Sequence, residues 1–146
     1  MPAVRRTAFM ELVWRVHRGL YSLTGGRVGG RMMGMPVLLL TTTGRRSGQP
    51  RTSPLMYLPD GEACVVIASN AGEPRHPAWW LNLLDQPRAT VQRGNRVLPV
   101  VAREAQGEER EQLWARLVRA EPSYQTYAQR TTRRIPVVVL EPVVTD

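Results

Sequence analysis

The residues with the most chemical potential lie in one short stretch, Thr41-Thr42-Thr43-Gly44-Arg45-Arg46-Ser47-Gly48-Gln49-Pro50-Arg51. It combines hydroxyls, two glycines and three arginines. A guanidinium presents a planar fork that grips phosphate or carboxylate through parallel hydrogen bonds, and glycines let backbone N–H groups approach an anion. The same composition describes a solvated hairpin loop with incidental arginines, and the residues alone leave both open. A second stretch, Ser69-Asn70-Ala71-Gly72-Glu73-Pro74-Arg75-His76-Pro77-Ala78-Trp79-Trp80, is a turn that runs straight into a helix start, another natural place for an anion. Its tryptophans are equally suited to a core, and His76 beside Pro77 reads as a local hydrogen-bonding or capping residue. A third, Pro122 to Tyr127, sets Tyr124 and Tyr127 three residues apart on one helical face. These can cover a planar ring or donate to a substrate oxygen; the alternative is ordinary half-buried tyrosine.

Several chemistries have no support. His17 and His76 lie far apart and the single cysteine, Cys64, falls in an expected strand, so no cluster has zinc-ligand spacing. There is no G-x-S-x-G elbow, no phosphate-binding G-x-x-x-x-G-K-[ST] loop and no G-x-G-x-x-G fingerprint. No pair of acids falls within an expected pocket strand, which removes glycosidase-type catalysis. An enzyme with so few reactive groups would leave the hard chemistry to a bound cofactor and supply orientation itself.

The elements that must position these residues are those of one domain, since 146 residues suffice for a single hydrophobic core. Hydrophobic residues make up 42% and charged residues 22%, as in ordinary globular chains. The longest apolar run, Met35 to Leu40, contains Pro36 and is too short for a membrane-spanning helix. With no signal-peptide pattern and no second cysteine, a reducing, cytoplasmic setting is expected. The net charge of +8 is carried by 20 basic residues, every one an arginine, and implies an acidic partner. It is concentrated locally: Arg5, Arg6, Arg15, Arg18, Arg27 and Arg31 stand against Glu11 alone in the first 31 residues. That concentration, and the lack of a nucleic-acid-binding motif, count against a nucleic-acid partner.

Residues 1–35 are expected to form an N-terminal amphipathic helix with a linker. Phe9, Leu12, Val13, Val16 and Leu20 make an apolar stripe over 8–22, and Gly25, Gly26, Gly29, Gly30 and Gly34 follow. The helix either packs on its own domain or lies, through residues 5–31, peripherally on an anionic membrane at the inner face of the cell. From Pro36 onward the pattern gives strands at 37–43, 51–58 and 63–69, then a helix at 78–84 behind Pro77. Pro54 marks the second strand as an edge or a bulge, and Pro59-Asp60-Gly61 reads as a tight turn. A hairpin follows at 89–92 and 96–103, then a helix at 108–120 with Leu113, Trp114, Leu117 and Val118 on its buried face. A further turn or short helix is expected at 122–129 and a last strand at 135–140. Short connections make the first strands antiparallel, and a small closed or split β-barrel with peripheral helices fits best.

Three stretches resemble the deazaflavin-dependent nitroreductase family, within the flavin/deazaflavin oxidoreductases: LLLTTTGRRSGQPRTSPLMYLPDG at 38–61, ASNAGEPRHPAWWLNLLDQPRATVQ at 68–92, and PSYQTYAQRTTRRIPVVVLEP at 122–142. The resemblance implies a mainly β (α+β) fold, an FMN-binding-like split β-barrel over residues 36–146. It also implies coenzyme F-420, an 8-hydroxy-5-deazaflavin with a phosphate and an oligoglutamate tail. By position, Arg45, Arg46, Ser47, Arg51, Thr52, Ser53, Pro54 and Leu55 would meet the phosphate, ribityl chain and tail. Ile67, Ala68, Ser69 and Asn70 would line the deazaflavin, with Ala78, Trp79, Trp80, Leu81 and Asn82 bordering it. Tyr124 matches a ring-contacting tyrosine and Tyr127 a substrate-pocket tyrosine; with Ser69, they are the implied catalytic residues for protonating or polarising the acceptor. Met56 and Glu121 stand where better-known nitroreductases carry tyrosines. The implied activity is hydride transfer from reduced F-420 to a quinone, an enone or a nitro compound, with no metal. The nearest alternative is a similar barrel that binds FMN or haem.

Overall fold

The structure, a computed structural model, describes residues 31–32 and 35–143, with backbone only for the first pair. The expected helix over 8–22 and its glycine-rich linker lie outside the described residues. Eight strands are described: β1 (Arg31–Met32), β2 (Met35–Thr43), β3 (Pro50–Met56), β4 (Leu58–Asp60), β5 (Ala63–Ile67), β6 (Arg88–Arg93), β7 (Arg96–Glu104) and β8 (Val137–Pro142). Three α-helices accompany them, α1 (Ala78–Asp85), α2 (Gly107–Ala120) and α3 (Ser123–Gln129). All pairings are antiparallel, in the order β3-β2-β6-β7-β8-β5-β4, with β1 as a short addition at the start of β2.

The two ends of that order are successive halves of one stretch of chain. The single strand expected at 51–58 breaks at Tyr57, whose N–H donates to the carbonyl of Pro36 at 3.0 Å. Before the break the chain pairs with β2; after it, with β5. The sheet therefore curls back on itself as a split β-barrel, the expected fold. The break also moves the expected turn: Leu58–Asp60 is strand, and the chain reverses at Gly61-Glu62. The last strand likewise begins at Val137 rather than Ile135. Pro54 lies in β3, which among the described residues pairs with β2 alone, in keeping with the edge reading.

Alternation along the strands sorts the apolar residues into two cores. Leu38 and Leu40 of β2, Cys64 and Val66 of β5, Val91, Val100, Val138 and Leu140 point inward and fill the barrel. Trp79, Trp80 and Leu83 of α1 plug one mouth of it. The outward residues of β5 and β8, Val65, Ile67, Val137 and Val139, pack instead against Leu113 and Leu117 of α2 and Tyr124 of α3. The Cys64 thiol sits inside the barrel, where burial pushes its pKa up. Among the described residues no helix is long and apolar enough to cross a membrane.

The connection from β5 to α1 is backbone-strained. Asn70 and Ala71 adopt φ of 47° and 54°, and Gly72 follows at 80°. A Cβ on Gly72 would lie 2.8 Å from the Tyr127 carbonyl oxygen and 2.9 Å from Arg130 Cβ. Only glycine allows this turn to touch α3. Gly72→Ala should therefore lower unfolding free energy by at least about 1–2 kcal/mol, the usual penalty of a left-handed alanine, and the clash adds to it. Urea unfolding of the two proteins checks this; equal midpoints would show that the contact is not tight.

Candidate functional site

The arginine loop and the start of α1 enclose one cleft of about 440 Å³. Arg45, Arg46, Ser47, Arg51, Thr52 and Ser53 form one wall, and Ala78, Trp79 and Asn82 the other. Nine of the residues expected at a cofactor site thus converge, from segments more than twenty positions apart. The loop folds tightly. The Gly44 N–H donates to the Gln49 carbonyl at 2.7 Å and the Gly48 N–H to the Gly44 carbonyl at 2.8 Å. A Cβ on Gly44 would meet Ser47 Oγ at 2.7 Å and the Gln49 carbonyl at 3.2 Å, so a larger residue there would displace the Ser47 hydroxyl. The two glycine amides are consumed inside the loop, so they are not the donors it offers to an anion.

Asn82 fixes the loop to the helix. Its carboxamide is buried; Nδ2 donates to Thr42 Oγ1 at 3.1 Å, and Oδ1 accepts from both the backbone N–H and Nη1 of Arg45 at 3.2 Å. Its role in this structure is to hold Arg45 in place. Arg51 Nη2 reaches Ser47 Oγ at 3.5 Å. The ion pairs among the described residues lie elsewhere, joining Arg103 to Glu109 and Glu141, and Arg116 to Asp60. The cleft wall itself contains no acid. Three guanidinium groups and the positive end of α1 therefore face one concavity without a carboxylate among the lining residues, a fit to a phosphate or carboxylate ligand.

The remaining expected residues lie outside that cleft lining. Pro54 is exposed on the edge strand, while Leu55 turns inward against the barrel core. Ala68 and Trp80 are buried in that core, Ile67 belongs to the second one, and Leu81 is half-buried. Ser69 is buried at the start of the strained turn, and Asn70 is exposed, donating from Nδ2 to the Arg75 carbonyl at 3.1 Å. Tyr124 and Tyr127 meet edge to face, ring centres 6.4 Å apart, in the α2–α3 core. Burial, with Glu121 adding to it, pushes the Tyr124 phenol up to about 12, so it stays protonated at neutral pH. Glu121 has a structural task, accepting from the Ser123 N–H at 3.1 Å where α3 begins.

Arg133 was not singled out from the sequence, yet it holds the strained turn. It donates from Nη2 to the Ser69 carbonyl (2.7 Å), from Nη1 to the Ala68 carbonyl (3.2 Å) and from Nε to the Glu73 carbonyl (3.0 Å). Nη1 also lies 3.1 Å from His76 Nδ1. Backbone in sparsely populated conformations persists where its surroundings over-determine it, and this guanidinium does so. The only sequence signal was the run Arg130-Thr131-Thr132-Arg133-Arg134, which does not tell one arginine from the next.

A curled antiparallel barrel with an acid-free arginine cleft at its helix-plugged mouth defines a split β-barrel suited to an anionic ligand. The sequence profile of the F420H(2)-dependent quinone reductase family matches residues 13–142. An F420H(2)-dependent quinone reductase of Mycobacterium tuberculosis is 40% identical over 130 residues, covering 86% of this chain and 87% of that protein. The solved structure of an F420-H2 dependent reductase, FDR-A, superposes with a TM-score of 0.67 at 44% identity, over 73% of this chain and 94% of that one. A second, a domain-swapped dimer, superposes at 0.68 with 38% identity, over 90% and 99%. The chain belongs to the F420H(2)-dependent quinone reductase family. It is an oxidoreductase and its cofactor is coenzyme F-420, which decides between the deazaflavin, FMN and haem alternatives.

The Arg133 clamp is sensitive to pH. Burial first, then the Arg133 cation, lowers the His76 pKa below its usual 6.5, with Glu104 opposing. Below that value the unfolded chain takes up a proton that the folded turn resists. The contribution of His76 to stability is therefore present above pH 6.5 and lost as pH falls toward the lowered folded value. His76→Asn should remove this part of the pH dependence, and Arg133→Ala should raise the His76 pKa read by NMR titration. An unchanged pKa in Arg133→Ala would show that the contact is incidental.

Proposed function

We propose that this protein transfers a hydride from reduced F-420 to a quinone, binding the coenzyme's phosphate and tail in the Arg45–Ser53 cleft. The carrying observation is the convergence of Arg45, Arg46 and Arg51 on one acid-free concavity at the start of α1. Charge-assisted bonds to anions are the strongest hydrogen bonds a surface cleft can offer, and Arg45 is already oriented by Asn82, which reduces the ordering required on binding. The bound coenzyme supplies the hydride. The protein's part is orientation, exclusion of water and delivery of a proton.

On the acceptor side, the reading rests on Ser69, Tyr124 and Tyr127. Tyr124 remains a phenol at neutral pH, so it can donate toward an acceptor oxygen as charge develops but cannot serve as a base. Tyr127 is half-buried beside it, with the Arg130 guanidinium 5.6 Å over its ring. Met56 packs against the same cluster and contributes an apolar, adaptable wall in place of another phenol. That wall supports an apolar quinone over a nitroimidazole. The barrel over 36–146 carries cofactor binding in this reading. The arginines among residues 5–31 support a peripheral, electrostatic contact with an anionic bilayer, the phase in which apolar quinones dissolve.

Fluorescence titration should give tight F-420 binding and weaker FMN binding. Each charge-assisted bond contributes about 1.5–3 kcal/mol, so Arg46→Ala or Arg51→Ala should weaken F-420 binding about 10- to 150-fold. The loss should shrink for a fragment lacking phosphate and tail. Normal affinity in both variants would overturn the cleft assignment.

Tyr127→Phe should slow acceptor reduction while leaving F-420 affinity nearly unchanged. Menadione should be turned over faster than a bicyclic nitroimidazole. Steady-state rates with the two acceptors decide the preference, and the reverse order would contradict the role given to Met56.

A further inference from the structure

One guanidinium sets the direction of the main chain between β5 and α1. Arg133 directs Nη2 to the Ser69 carbonyl at 2.7 Å, Nη1 to the Ala68 carbonyl at 3.2 Å and Nε to the Glu73 carbonyl at 3.0 Å. Its own place is fixed between α3 and β8, where the Ala68 N–H donates to the carbonyl of Pro136 at 3.0 Å. The described peptides include no cis bond. In a trans peptide the N–H points opposite to the carbonyl of the preceding residue. With the Ala68 and Ser69 carbonyls on Arg133, the N–H groups of Ser69 and Asn70 are therefore turned the other way. Among the described residues neither meets a backbone acceptor. Ser69 has right-handed helical backbone, φ −77° and ψ −32°, and Asn70 left-handed backbone, φ 47°. That succession turns consecutive N–H groups onto one concave side, a shape that receives a negative oxygen. Asn70 and Ala71 hold it against the ordinary preference of their residue types.

We propose that Arg133 is a positioning residue for the coenzyme, presenting the N–H groups of Ser69 and Asn70 to the carbonyl oxygens of the deazaflavin ring. The inference rests on the reading that Ile67, Ala68, Ser69 and Asn70 line that ring, and it gives the stretch a donor set that no side chain supplies. A cation on the carbonyl side polarises each peptide and makes its N–H a better donor. The same residue steadies the cleft wall, since its contacts at Glu73 and His76 hold the chain just before Ala78 and Trp79. Ring and phosphate are thereby referred to one frame. A ring held by two fixed amides has few orientations open to it, the condition for an aligned transfer.

Three measurements on the full-length protein test this. In the unaltered chain the Ser69 and Asn70 amide proton resonances should move downfield when F-420 is added, as amides do on gaining an acceptor. Unmoved resonances overturn the proposal without any variant. Arg133→Ala should weaken binding of intact F-420 about 10- to 100-fold, the worth of two neutral hydrogen bonds, and should weaken binding of a fragment lacking phosphate and tail by the same factor. Arg133→Lys, which keeps the charge but cannot reach three carbonyls, should fall between. A loss confined to intact F-420 would make Arg133 a phosphate-side cation and refute the proposal. Normal binding in both Arg133 variants beside weakened binding in Arg46→Ala would also refute it, while leaving the cleft assignment in place. In steady state the rise should fall on the KM for the coenzyme, with the KM for menadione unchanged. An equal rise in both, with a lower melting temperature, would leave Arg133 a purely structural role and sink the proposal.

Discussion

One buried carboxamide holds the cleft together. Asn82 extends from α1 between the last inward position of β2 and the arginine loop, and both ends of its amide are used, one on Thr42 and the other on Arg45. Buried polar groups are tolerated only when satisfied, so helix, strand and loop are fixed to one another within the tolerance of these bonds. α1 is in turn seated by Trp79, Trp80 and Leu83 in the barrel mouth. The position of a surface arginine is thereby referred through a single side chain to the hydrophobic core, and a loop that is mostly exposed acquires the rigidity of the barrel.

The two cores divide the labour. The interior of the barrel, with α1 as its stopper, holds up the arginine cleft. The outer layer, where α2 and α3 cover β5 and β8, holds Tyr124 and Tyr127. The strained turn from Ser69 to His76 is the seam between them, with Gly72 against α3 at one end and α1 beginning just past the other. Arg133, anchored after α3, closes this seam by capturing the carbonyls of Ser69 and Glu73 within it and of Ala68 just before it. The arginine cleft and the tyrosine pair therefore share a boundary held by one guanidinium on backbone carbonyls and by the close approach of Gly72 to α3.

Much of this was legible in the sequence, for identifiable reasons. The hairpin across Gly94-Asn95, the helix behind Pro77 and the α2 stripe carry strong local signals, and all appear where the pattern put them. The arginine loop was visible because its residue types are unusual in combination. The break at Tyr57 was not visible, since it answers to closure of the barrel and local propensity runs through it smoothly. The turn from Ser69 read as loop; Asn70 and Gly72 are residue types that tolerate left-handed backbone, but nothing at Ala71 announces it. Asn82 was placed beside the cofactor by resemblance, and the structure gives its amide to Thr42 and Arg45. Long-range hydrogen bonds of this kind leave no periodic trace.

The interrupted strand has a further consequence, for how the molecule behaves in a crowded solution. A split barrel leaves a slit, and β3, bonded on one side among the described residues, is its lip. An unpaired strand edge is a template on which another chain can add, and from there an aggregate can grow. β3 carries proline at two of its seven positions, Pro50 and Pro54, and an arginine between them. Each proline deletes a backbone donor, and the charge resists burial beneath an incoming strand. The lip is thus disfavoured as a template for strand addition, which lowers the tendency of the open slit to nucleate fibres.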